Sequence, residues 1–220
     1  MGRVRHFEDG HRHCVEIERP GEAPELHVYV DRRAGLTFPT MHNPGYYCVF
    51  GVKDMPSMTD RLPMQLLAED QTESMDTLFK GLSAKMKTYN CAHVYADCSS
   101  EFQSAEIQLS RFLEKRNIRW LEMHDASEFD GFDATYAGFE AARAPIDELG
   151  RKGKLMIPKS GQSHLGTELA NFMEENAKDK PYQKYPALNA FNHVIMSYVI
   201  SPYERPADEA LPDIEEGYGG

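Results

Sequence analysis

The chain has 220 residues, 41% of them hydrophobic, which suits one large domain with a proper core. A formal charge of −11 excludes a protein that coats nucleic acid by bulk electrostatics, so any DNA contact has to use a local basic patch or metal ions. No stretch approaches the ~18 uninterrupted apolar residues of a membrane span, and four cysteines with no CxxC pair and no apolar leader predict free thiols in a reducing, intracellular compartment.

In chain order, residues 1–25 alternate charge and histidine with Pro20, Gly21 and Pro24, which predicts an N-terminal arm leading into the fold. His11-Arg-His13-Cys14 has zinc-ligand side chains but no second ligand pair, and reads as an exposed polar segment. Leu26 to Val30 alternates apolar and polar residues and ends on Asp31, with a long turn expected over Arg32 to Gly35 and Pro39 to Gly45. Tyr46 to Val52 and Leu62 to Ala68 are the next strands, so the domain opens as an antiparallel meander. Met75, Leu78, Phe79, Leu82, Met86 and Tyr89 mark the buried face of a helix.

Cys91 to Ala96 is then a strand that stops at Asp97 and turns at once into a helix, with Ser100 and Gln103 at capping-box spacing. After that helix, Ile118 to Met123 is a further strand, making a right-handed parallel unit. The remainder is helical: Ala134 to Leu149, a stripe from Leu165 to Met173, and another from Leu188 to Val199. Residues 204–220, rich in acid, Pro and Gly, are expected to form a disordered tail, leaving 26–203 as the domain.

Asp31 and Asp97 carry the candidate chemistry. If their strands are neighbours, the two acids meet at adjacent strand ends, where they either repel or share cations. A shared pair of divalent ions is what phosphodiester cleavage needs. Glu69 and Asp70, closing the third strand, are auxiliary ligand candidates, although isolated acids there are ordinarily surface residues. Lys152, Lys154 and Lys159 flank a short apolar segment and form either a phosphate patch or a solvated turn.

Val-Tyr-Val-Asp31, Val-Tyr-Ala-Asp97-Cys-Ser-Ser-Glu101, Gly153-Lys-Leu-Met-Ile-Pro-Lys159 and Leu165-Gly-Thr-Glu-Leu169, in that order, resemble the nuclease domain of the tailed-phage terminase large subunit over about residues 26 to 200. The resemblance implies a ribonuclease H-like α/β fold, a mixed sheet of about five strands in the order β-β-β-α-β-α-β. It implies a DNA endonuclease using two Mg²⁺ or Mn²⁺ ions in the host cytoplasm, with Asp31 and Asp97 as metal ligands. The family's third acidic motif is replaced by Asn189-Ala-Phe-Asn-His193, so the resemblance leaves His193, with Asn189 as auxiliary, to stand in for the third carboxylate. Implied partners are double-stranded DNA, a terminase ATPase motor, the small terminase subunit or the portal protein. No P-loop is present, so the chain is expected to be an excised nuclease domain or a subunit encoded apart from its motor. A junction resolvase of the same fold, or a catalytically degenerate module that docks a packaging motor or portal, are the alternatives.

Overall fold

In a computed structural model, residues 2–54, 63–96, 103–115, 122–125, 136–174, 185–200 and 203 are described. The thirteen-residue strand β3, Glu25–Thr37, is the axis of the sheet. It is preceded by β1, Arg3–Asp9, and β2, Arg12–Glu18, and followed by β4, Gly45–Lys53, and β5, Met64–Thr72. Then come α1, Met75–Thr88; β6, His93–Ala96; α2, Gln103–Glu114; β7, Glu122–Asp125; and α3, Tyr136–Arg151. The two-residue β8, Leu155–Met156, precedes α4, His164–Glu174, and α5, Pro186–Ile200.

All eight strands join one sheet. From β3 to β5 the chain runs as an antiparallel meander, and β6 then returns to pair in parallel with the other side of β3 and with β7. From β3 to β7 this is the expected β-β-β-α-β-α-β order of a mixed α/β sheet, with eight strands among the described residues where about five were expected. The length of β3 lets one edge serve two neighbours. Its first half pairs with β2 and its second half, Arg33 to Leu36, pairs with β6.

Two expectations change. Residues 1–25, read as an arm, contain the β1–β2 hairpin, closed by Gly10-His11 with Gly10 at φ +61°. Asp9-Gly10 is a hairpin signal, but β1 is wet on nearly every residue and its pattern looks like unstructured polar chain. The strand expected to end at Asp31 continues to Thr37, because Ala34 and Leu36 are completely buried against α1 and α2 and the ladder to β4 runs on to Thr37–Tyr46. The turn is confined to the segment after Thr37.

The sheet is apolar on both faces. One carries Leu36, Phe38, Tyr47, Val49 and Val94 under α1 and α2, and the other carries Tyr46, Cys48, Phe50 and Leu66 under α3, α4 and α5. α5 lies so close to β3 that a Cβ on Gly35 would stand 2.0 Å from the Ala190 carbonyl oxygen. Only glycine admits the helix at that separation. The expected tail, residues 204–220, lies outside the described residues.

Candidate functional site

α5 runs antiparallel to β3. Its first residue, Pro186, accepts a hydrogen bond from Thr37 Oγ1 (3.2 Å), Ala190 packs on Gly35, and Ser197 meets Arg33. The stretch of β3 from Arg33 to Thr37 therefore faces the helix from Ser197 back to Pro186, and this register places the candidate residues of α5.

Asp31 sits beside a bulge in the β3–β4 ladder and is engaged by a cation of the chain itself. Arg33 Nε and Nη2 each lie 3.0 Å from Asp31 Oδ2, while Nη1 donates to the Ser197 carbonyl at 2.7 Å and to Ser197 Oγ at 3.2 Å. The Tyr198 ring lies 4.0 Å from the guanidinium carbon, with the Tyr95 ring at 5.9 Å. Arg33 and Asp31 side chains are only 8% and 16% exposed, so little water screens the pair. Burial, and then the Asp31 charge, push the Tyr198 hydroxyl well above its usual range. A carboxylate held this way is a poor ligand, because a metal would have to displace the guanidinium or bring a second positive charge beside it.

The two strands lie side by side as expected, but Asp31 does not close its own. Leu36 is the β3 neighbour of Ala96, the last residue of β6, and Asp31 lies five residues before Leu36 on the strand, roughly 17 Å away. Asp97 itself lies outside the described residues. The acid that does close a strand next to β6 is Asp125, the last residue of β7, paired with Ala96. Sequence reasoning ended that strand at Met123 and passed over it.

His193 is 1% exposed, within the buried length of α5 between the turns that meet Gly35 and Arg33. Asn189, one turn earlier, is half-buried and lies nearer the end where Thr37 meets Pro186. Among the described residues, no three His, Cys, Asp or Glu side chains converge as a metal would require.

Glu69 has a structural task. Its carboxylate accepts the backbone N–H groups of His164 (3.2 Å) and Leu165 (3.1 Å) at the start of α4, and the Tyr46 hydroxyl at 2.6 Å. Burial raises the Tyr46 hydroxyl well above its usual range, which keeps it protonated and donating. Glu168, on α4, does the same for α5 by accepting from Leu188 N at 2.9 Å. Burial pushes Glu168 up to about 7 against the pull of these N–H groups, with the Glu69 charge adding to the rise. Each acid satisfies donors that a helix start leaves open and sits at the positive end of its dipole. Glu168 was within a motif that the sequence marked, without a role. Asp70 is exposed, and accepts from the N–H of Gln71.

The three lysines do not form one patch. Lys152 is paired with Glu148 at 2.8 Å, Lys154 is 5% exposed, and Lys159 is exposed. Lys154 is drawn in because its main chain bonds both to Leu149 and to Met64, joining the end of α3 to β5. No helix among the described residues is long and apolar enough to cross a membrane.

No protein-family model and no curated protein matches the sequence. Among solved structures the chain is similar to the Holliday junction resolvase of fowlpox virus, at 13% identity and a TM-score of 0.42, covering 77% of this chain and 98% of that one. It is also similar to the large terminase nuclease of the thermophilic phage G20c, solved with bound zinc, at 17% identity and a TM-score of 0.44, covering 86% of this chain and 91% of that one.

Proposed function

We propose that the protein is a metal-dependent DNA endonuclease acting in phage genome packaging, with its reacting centre at the edge where β3, β6 and β7 end, and not at Asp31. The observation that carries this reading is the parallel register Leu36–Ala96–Asp125. Asp125 ends β7 beside Ala96, the last residue of β6, and in the sequence Asp97 follows Ala96 directly; this is the strand edge at which α/β folds expose reactive groups. Two carboxylates are a hard-oxygen donor set that suits Mg²⁺ or Mn²⁺. Asp31 does not fit such an ion, since Arg33 already neutralises it. A bound metal pair would supply an activated water and stabilise the phosphorane-like charge. The chain's own contribution is the parallel β3–β6–β7 register, with α5 held across the face of β3. His193 acts in packing.

A specific observation favours a second reading, a module that docks a motor or portal without cutting: the ribonuclease H-like sheet has an arginine-locked acid on its central strand. One experiment separates the two. Supercoiled plasmid incubated with the protein in Mg²⁺ or Mn²⁺ is expected to be nicked and linearised, with Asp97→Asn and Asp125→Asn each inactive and Asp31→Asn still cutting at a temperature where it is folded. Intact plasmid in both metals refutes the nuclease and leaves the docking module. Loss of cutting by well-folded Asp31→Asn, with Asp125→Asn unaffected, returns the site to Asp31.

A further inference from the structure

Among the described residues the strand order leaves β1 as a terminal strand of the sheet, and its seven residues pair with β2 without a register shift. Exposed edges are normally blunted by proline, bulges, charged side chains (lysine above all) or shortness. β1, Arg-Val-Arg-His-Phe-Glu-Asp, has no proline, no bulge and no lysine, and Val4 on it is 56% exposed. The two-residue turn makes Asp9–Arg12 a hydrogen-bonded pair, so by alternation Phe7, Arg5 and Arg3 bond to β2 while Val4, His6 and Glu8 direct their N–H and C=O groups outward.

The charges on this edge are sorted: Arg3 and Arg5 occupy its first half, Glu8 and Asp9 its second, with His6 at the centre. We propose that β1 is a homodimer interface, pairing antiparallel with β1 of a second copy about a two-fold axis at His6, so that the two sheets become continuous. Antiparallel pairing about His6 sets Arg3 opposite the second copy's Asp9, Arg5 opposite its Phe7 and Val4 opposite its Glu8. Within one chain Arg5 already lies over Phe7, 5.2 Å from guanidinium carbon to ring centre, so the same pair chemistry is available across the axis. The outward-directed residues are the ones this register matches, Val4 with Glu8 and His6 with His6, so the backbone ladder and the charge pattern select one alignment. Parallel pairing would put Arg3 beside Arg3 and Asp9 beside Asp9, and a one-residue slip would set inward-bonded groups against outward ones. An isologous contact of this kind closes after two copies.

Sedimentation equilibrium of the full chain from 1 to 200 µM reads the association directly. The wild type is expected to dimerise, Arg3→Glu and Asp9→Arg each to raise the dissociation constant roughly tenfold or more, and the double charge swap to restore it. Val4→Pro, which removes an outward N–H and no β1–β2 bond, is expected to weaken the dimer with an unchanged circular dichroism spectrum. His6→Cys places two cysteines about 5.5 Å apart between Cα atoms, within disulfide range, whereas Val4→Cys separates them by roughly 13 Å. Oxidation is therefore expected to link the first variant into a dimer and not the second. A monomer at 200 µM overturns the proposal, as does a dimer indifferent to the charge variants or equal crosslinking at positions 4 and 6.

Discussion

Replacing Arg33 with methionine tests whether the ion pair on β3 is a structural element in its own right. The substitution keeps the length of the stem and removes a guanidinium that bonds Asp31 twice, both oxygens of Ser197, and the face of Tyr198. It leaves the Asp31 carboxylate, whose side chain is 16% exposed, without its counter-charge. Breaking one partner of a buried pair costs about 3–5 kcal/mol, which at a urea dependence of ~3 kcal/mol per molar lowers the unfolding midpoint by roughly 1–1.7 M. Asp31→Asn is expected to cost less, about 2–3 kcal/mol, because Ser197 and the Tyr198 ring still surround the charge. The double variant Arg33→Met/Asp31→Asn is expected to be more stable than Arg33→Met alone, since it leaves no unpaired charge. Urea titrations followed by circular dichroism measure all four corners of the cycle. An Arg33→Met protein within about 0.5 kcal/mol of wild type, or a double variant whose loss equals the sum of the singles, refutes the reasoning and leaves Asp31 available to a metal.

Glu168 makes stability depend on pH. Burial holds its carboxyl at about 7, above the ordinary glutamate value of 4.5, so between these limits the folded protein keeps a proton that the unfolded chain releases. Stability is then full below pH 4.5 and falls as pH rises to 7, by up to about 3 kcal/mol, and thermal unfolding of Glu168→Gln from pH 5 to 8 is expected to lack that decline. Gly35→Ala is expected to cost about 3 kcal/mol or more in the same urea assay, because the added carbon meets both the Ala190 carbonyl and, 2.9 Å away, Val194 Cγ2 one turn on in α5. An alanine variant as stable as the parent would mean that α5 can move off the sheet.

Strand and helix order from β3 to α5 was legible because nearly every element buries one face, and burial writes itself as period 2 or 3.6. Strand ends were not. Arg32-Arg33 looks like the polar start of a turn, and the fact that Arg33 is a buried residue balanced by Asp31 and Ser197 exists only once α5 is in place. The same blindness moved the candidate site: an acid after a short apolar run resembles a strand-end carboxylate whether or not the strand continues. Asp125 was overlooked for the reverse reason, since Glu122-Met-His-Asp125 is short and polar and its strand character comes from pairing with β6. Lys154 shows that a charge in a basic run is drawn inward when its main chain is needed for a ladder.

The two capping glutamates also tie the C-terminal helices to the sheet in series. α4 begins on donors satisfied by Glu69, a residue of β5, and α5 begins on a donor satisfied by Glu168, a residue of α4. At α4 these bonds add to a local cap, in which Ser163 Oγ accepts the Gly166 N–H at 3.0 Å, so each helix start rests in part on an acid from elsewhere in the chain. The meander thus supplies part of the anchor of α4, and α4 part of the anchor of α5. α5 then travels back over β3, closing onto Gly35 and supplying Ser197 to Arg33. In the C-terminal third, then, α4 leans on β5 and α5 on α4, and the last helix closes over β3.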